Sequence, residues 1–160
     1  MSPVIRPAAP DDLDLLVAIE TTVFPGDRLS RRAMRHHVGH RRNVLVVVER
    51  DGVILGYALV ALRSGSALAR LYSIALVPEA SGTGLGARLL DAAEQAAAER
   101  GATAMRLEVR ADNASAIRLY DRRGYRRFGL LPSYYEDGQD ALRFEKRLPP
   151  IASRADAATG

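Results

Sequence analysis

Cysteine is absent from this 160-residue chain, and so is tryptophan. Without cysteine there is no disulfide, no zinc thiolate, no iron–sulfur cluster and no cysteine nucleophile. No stretch approaches the ~18–20 continuous apolar residues of a membrane helix, so no membrane partner is expected. The opening Met1-Ser2-Pro3-Val4-Ile5-Arg6 lacks a basic segment leading into an apolar one. A secretory leader is therefore not expected there, and a cytoplasmic location is. Lysine is nearly missing as well. Lys146 stands alone among arginines, a uniformity that points to coding bias more than to a phosphate-binding design.

What is present has the balance of a folded globular chain, 48% apolar and 26% charged. The length leaves room for one core. Residues 1–148 read as a single domain, and 149–160, opening with Pro149-Pro150 and continuing polar and Ala-rich, as a flexible C-terminal tail. The net charge of +4 is modest. Its densest patch, Arg31, Arg32, Arg35, His36, His37, His40, Arg41 and Arg42, has neither interleaved aromatics nor a recognisable recognition helix. It reads as a solvated helix face, and no nucleic-acid partner is expected. His36 and His40 stand at i, i+4 but lack an HExxH motif or a third ligand, so no metal is expected.

Along the chain, Val4-Ile5-Arg6 reads as an edge strand. Pro10 suits the start of a helix with Asp11, Asp12 and Asp14 in its first turn, where acids oppose the dipole. Leu13, Leu16, Val17, Ile19 and Val23 continue it to Phe24, and Pro25-Gly26-Asp27 breaks it. Ser30 can cap a second helix, which ends at Gly39. Two apolar runs, 44–48 and 53–62, flank Asp51-Gly52, a hairpin signal. A third strand spans 68–77. Leu85, Leu89, Leu90, Ala93 and Ala97 mark a helix over 84–100. A strand at 103–109, a helix capped by Asp112 or Asn113 and closed by Gly124, and strands at 125–131 and 141–148 complete the chain. Strands and helices in this order imply a mixed α/β sheet.

Ser81-Gly82-Thr83-Gly84-Leu85-Gly86-Ala87 lies between a strand and the long helix. Glycines let backbone N–H groups turn toward one point, and a helix N-terminus adds positive potential, which together suit a phosphorylated cofactor. A tight turn using glycine for geometry alone is the other reading. The loop is not a P-loop, because Ala87-Arg88 replaces the Lys-Ser/Thr ending. Gly82, Gly84 and Ala87 fit a loose dinucleotide fingerprint, but that motif follows the first strand of its fold, whereas here several strands precede it.

The string Leu71-Tyr72-Ser73-Ile74-Ala75-Leu76-Val77-Pro78, the glycine loop and Leu89-Leu90 resemble the central motif of the GNAT N-acetyltransferases, Q/R-x-x-G-x-G/A. Gly84 and Gly86 match its glycines, while Ser81 replaces the usual Gln or Arg. The segment from Leu107 through Glu108, Asn113 and Ile117 to Tyr120, with Gly124-Tyr125, Tyr134-Tyr135 and Asp140-Ala141, is similar to the bacterial ribosomal-protein-alanine N-acetyltransferases. The resemblance covers residues 3–148 and is strongest from 71 onward. It implies the GNAT fold: a central mixed, mostly antiparallel sheet with helices on both faces, splayed between strands four and five to admit a pantetheine arm.

It implies, further, that acetyl-CoA is the cosubstrate and a primary amine the acceptor. Gly82, Thr83, Gly84, Leu85, Gly86 and Ala87 would cradle the pyrophosphate. The backbone of Ile74, Ala75 and Leu76 would pair with the pantetheine amides as an added strand does. Asn113 would bond the cofactor, although a helix cap explains it equally well. The matching family Glu is the general base, a role that falls on Glu108; a carboxylate with apolar neighbours is desolvated and accepts a proton more readily. The matching Tyr is the general acid, a role that falls on Tyr120. An acid on a polar strand face and a core tyrosine are the plain readings of the same two residues. Tyr134 and Tyr135 would line the acceptor's entry, with Glu136 and Asp137 attracting a cationic amine. Phe24-Pro25 stands where such relatives often carry Pro-Trp. A protein N-terminal α-amine is the expected acceptor, with a small-molecule amine and a non-catalytic acyl-CoA sensor as alternatives.

Overall fold

The computed structural model describes residues 2–24, 29–39, 42–63 and 65–150. Its elements are β1 (Val4–Pro7), α1 (Leu13–Val23), α2 (Arg31–Gly39), β2 (Val44–Arg50), β3 (Val53–Leu62), β4 (Leu68–Leu76), α3 (Leu85–Glu99), β5 (Ala104–Arg110), α4 (Ala114–Arg122), β6 (Arg126–Leu131) and β7 (Ala141–Arg147). The expected order holds, with ends displaced by a residue or two. The expected breaker Pro25-Gly26-Asp27 and positions 151–160 of the expected tail lie outside the described residues, as does His40.

The first helix opens with a separate 3₁₀ turn over Pro10–Asp12. Asp12 causes it by folding back, accepting from the Ala9 N–H at 2.7 Å and bridging Arg6 at 2.8 Å. At the β2–β3 hairpin, Asp51 and Gly52 both have positive φ, 53° and 79°. That is the turn whose twist matches its flanking strands.

Seven strands form one sheet in the order β1-β2-β3-β4-β5-β7-β6. All neighbours run antiparallel except β4 and β5, which are parallel. Side chains alternate across a strand, so β2 serves two cores at once. Val44, Val46 and Val48 pack with α3 and α4 on one face; Leu45 and Val47 pack with Leu16, Ile19 and Met34 of α1 and α2 on the other. Burial on both faces explains why this strand reads as an unbroken apolar run.

β4 and β5 pair only from Leu68–Arg70 to Ala104–Arg106. The β3–β4 register slips immediately afterwards, leaving Tyr72 without a partner on β3. An extra residue of this kind bends its strand and increases twist. Beyond it β4 follows β3 to Leu76, while β5 follows β7 to Arg110. The strands part, and the splay the resemblance implies is present.

Candidate active site

The glycine loop ends in α3, fifteen residues long. Gly82 and Gly84 have φ of 77° and 81°, the left-handed region that side chains avoid. Gly86 is ordinary helix, and a Cβ there would meet Leu76 and Leu119 at 3.6 and 3.7 Å, normal contact. Backbone geometry therefore explains the glycine at two positions, and at Gly86 neither geometry nor space demands one. The stronger sign of a site is hydrogen bonding. Ala80 and Ser81 donate to Val77 and Pro78 at 3.0 and 3.1 Å, and the next N–H to donate is that of Arg88, to Gly84 at 3.3 Å. From Gly82 to Ala87 none finds an acceptor among the described residues. Donors left open at the positive end of a long helix form an anion cradle. Thr83 is held in place by its hydroxyl, which donates to Ala80 at 2.5 Å.

The edge of β4 facing the gap leads away from this cradle. Val77 donates to Leu55 at 2.8 Å, which fixes the alternation of the antiparallel ladder. Ala75 turns its polar backbone toward β3, and Ile74 and Leu76 turn theirs toward the open side. Of the three residues expected to offer their backbone to a ligand, Ile74 and Leu76 face the gap and Ala75 is paired with β3. Gly56 on β3 keeps this edge close: a Cβ there would fall 2.6 Å from the Ala75 carbonyl oxygen.

Glu108 lies in β5, whose Met105, Leu107 and Val109 face the α3 core. Alternation puts Glu108 on the opposite face. The expected apolar surroundings are not there. Arg70 of β4 bridges one carboxylate oxygen at 2.5 Å, and Arg143 of β7, its cross-strand partner, approaches the other at 3.6 Å. The Glu108 side chain is only 9% exposed, beneath guanidinium-bearing side chains that are 49% and 34% exposed.

Tyr120 is buried in α4, its ring edge-on to Tyr125 with centroids 5.6 Å apart. Burial, and secondarily the nearby Tyr135 hydroxyl, raise its pKa above the usual tyrosine value. Asn113 caps α4, accepting from the Ala116 N–H at 3.2 Å through Oδ1 and keeping its amide donors.

Tyr134 and Tyr135 stand edge to face, centroids 5.1 Å apart, on the β6–β7 loop. The Tyr134 hydroxyl accepts from Arg70 at 3.4 Å, and the Arg110 guanidinium lies over the Tyr135 ring at 4.9 Å. This pair thus links the surroundings of Glu108 to those of Tyr120. Asp137, expected to attract an amine, instead accepts from Arg110 at 2.6 Å and fastens the loop to the end of β5. Its pKa falls below the usual carboxylate value, first through that hydrogen bond.

Arg70 and Arg143 were not legible as site residues. Arg143 becomes the neighbour of Glu108 only through the β5–β7 register, and Arg70 only through the short parallel pairing of β4 with β5. A buried Glu20 was equally hidden. It accepts from the Tyr57 hydroxyl and from the Leu29 N–H at 2.7 Å, tying the approach to α2 down onto β3.

Residues 13–125 match the family model described as the acetyltransferase (GNAT) family. An uncharacterized N-acetyltransferase of Methanocaldococcus jannaschii is 34% identical over 147 residues, covering 91% of this chain and 92% of that protein. An N-alpha-acetyltransferase of Sulfurisphaera tokodaii is 31% identical across 86% of this chain and 88% of its own length. The solved structure of the ribosomal-protein-S18-alanine N-acetyltransferase from Escherichia coli is similar with a TM-score of 0.81 at 26% identity, covering 92% of this chain and 94% of that one. With an anion cradle, an open strand edge and a carboxylate–tyrosine pair on a fold shared this completely, the chain belongs to the GNAT family and is an N-acetyltransferase.

Proposed function

We propose that the protein transfers an acetyl group from acetyl-CoA to the α-amine of a protein N-terminus. The observation that carries this reading is the convergence of Glu108, the Tyr134–Tyr135 loop and Tyr120 around the end of β5, beside the open edge of β4. The N-alpha-acetyltransferase and ribosomal-protein-alanine relatives support the choice of acceptor.

The residues present fit the cosubstrate. The open N–H groups from Gly82 to Ala87 would hold its pyrophosphate, and the outward backbone of Ile74 and Leu76 would bond its pantetheine amides. The amide donors of Asn113 are free to reach it while Oδ1 caps α4. Ser81, in place of Gln or Arg, leaves this binding to the backbone. Bound acetyl-CoA supplies a thioester whose carbonyl carbon forms the new C–N bond as its C–S bond breaks.

An α-amine has a pKa near ~8, so much of it arrives as the ammonium and must lose a proton to attack. Glu108 takes that proton, directly or through a water. Tyr120, kept protonated by burial, gives its hydroxyl proton to the departing sulfur. Tyr134 and Tyr135 flank the approach of the peptide, and Arg110 with Asp137 holds their loop in place.

Calorimetric titration with acetyl-CoA, with NAD and ATP as controls, tests the cradle: micromolar binding of acetyl-CoA alone is expected. An acceptor assay then compares an alanine-starting peptide with free lysine and a polyamine. If the peptide is acetylated no faster than the small amines, the N-terminal reading is lost and a small-molecule acceptor takes its place.

A further inference from the structure

The mouth over Glu108 carries more positive charge than this reaction alone requires. On the open face of β4, β5 and β7, Arg106 is matched by Glu145 at 2.5 Å, and Arg110 by Asp112 at 3.1 Å and Asp137 at 2.6 Å. Arg70 and Arg143, however, share the single carboxylate of Glu108. Arg70 engages one of its oxygens at 2.5 Å. Arg143 stays at 3.6 Å, beyond a hydrogen bond, and its buried Nε has no hydrogen-bond partner. Its guanidinium instead lies over the Phe128 ring at 4.8 Å, with that of Arg106 over the same ring at 4.9 Å. Arg70 lies 5.4 Å from the centroid of Tyr72 and within 3.4 Å of the Tyr134 hydroxyl. Two aromatic-backed guanidiniums are thus held at the rim over one carboxylate.

This arrangement opposes the acceptor the reaction needs. An arriving ammonium meets two guanidiniums before it meets Glu108, and the carboxylate it must use is already engaged by Arg70. A like charge at such a mouth slows association and weakens binding. The conflict disappears if the acceptor brings a carboxylate of its own, because a second anion gives the shared cations a second partner. Guanidinium and carboxylate match in bidentate geometry, so the exchange is favoured over simple solvation of the arginine.

We infer that the preferred acceptor is an N-terminal segment with Asp or Glu within its first residues, and that its side-chain carboxylate draws Arg70 off Glu108. Arg143, whose side chain is 34% exposed and which approaches Glu108 only to 3.6 Å, is the second contact for that carboxylate. The release of Glu108 is then coupled to the presence of the correct peptide. An amine without a nearby acid finds the base still capped. This inference rests on the N-terminal acceptor reading and specifies its substrate class.

The test compares peptides identical except at position two, Ala-Glu, Ala-Gln and Ala-Lys, with the wild type and with Arg70→Gln and Arg70→Lys. In the wild type kcat/KM is expected to fall from Glu to Gln by about ten-fold or more, and further for Lys. Arg70→Gln is expected to shrink the Glu-over-Gln ratio several-fold while raising kcat on the neutral peptide, and Arg70→Lys to keep part of the ratio. A purely structural role for Arg70 would lower all three peptides together, with weaker acetyl-CoA binding and a lower Tm. Equal kcat/KM for all three peptides in the wild type, or an Arg70→Gln ratio unchanged from wild type, overturns the inference alone. Failure to acetylate any peptide while acetyl-CoA still binds sinks the N-terminal reading and this inference with it.

Discussion

The two halves of the sheet are built on different terms. Around β2 and β3 both faces are covered, by α1 and α2 on one side and α3 on the other, and β2 buries each residue from Val44 to Val48. From β5 onward only the face toward α3 and α4 is apolar. The other face carries Arg106, Glu108, Arg110, Arg143 and Glu145, and β6 leaves Phe128 and Leu130 exposed. The first half is held by packing, and the second exposes the polar face on which the candidate site lies. The lesson is that Glu108 is placed by a strand whose alternate residues anchor it, so the same seven residues of β5 supply both the anchor and the polar face.

That division is tested most severely in the covered half. Leu89→Ala empties a fully buried position among Ala93, Val46 and the rest of the α3 core, and should cost about 2–5 kcal/mol in chemical denaturation. A loss well under this range would mean the α3 core collapses around the cavity. The open half should respond in rate instead. Glu108→Gln and Tyr120→Phe should each lower turnover by ~10²-fold or more with acetyl-CoA affinity nearly unchanged. Unaltered rates in both variants would remove these two residues from the mechanism.

Gly56→Ala lies between the halves. Its Cβ, 2.6 Å from the Ala75 oxygen, must push β4 toward the gap, at about 1–3 kcal/mol. Acetyl-CoA binding should weaken with it, since the outward backbone of Ile74 and Leu76 moves too. Loss of stability with binding intact would show that the β4 edge does not hold the cosubstrate.

The smallest effect is expected from alkaline pH. Burial raises the pKa of Tyr120 and, together with Glu94, that of Tyr125. The folded chain therefore keeps both protons above pH ~10, where the unfolded chain releases them. Stability is unaffected below that pH and falls above it, by roughly 0.8 kcal/mol per tyrosine at pH 10.5. Denaturation curves between pH 9 and 10.5 read the slope, and Tyr120→Phe should remove one tyrosine's share. The same shift keeps Tyr120 able to donate throughout, so it should put no alkaline limb on the rate profile below pH 10.

Much of this was written into local sequence. The β-branched run of β2, the Asp51-Gly52 turn, the spacing of Leu85, Leu89, Ala93 and Ala97, and the Asn113 cap each act over a few residues, where propensity and hydrogen bonding decide. The string from Leu107 to Tyr120 marked Glu108 and Tyr120 as candidates in the same way. What surrounds them was not legible. Glu108 looked like a carboxylate among apolar neighbours because sequence adjacency shows Leu107 and Val109, which point to the other face of the strand.

Sequence by itself thus determined the elements, their order and the glycine turn, and marked Glu108 and Tyr120 as candidates, because each is a matter of local backbone preference or of a contiguous motif. Tertiary structure decided what those residues meet. The slip at Tyr72 parts β4 from β5, the β5–β7 register sets Arg143 opposite Glu108, and the short parallel pairing brings Arg70 onto the same carboxylate. These contacts join residues 35 or more positions apart, so they exist only once the sheet has closed its register. Charge acts through distance in space, and no spacing along the chain encodes it.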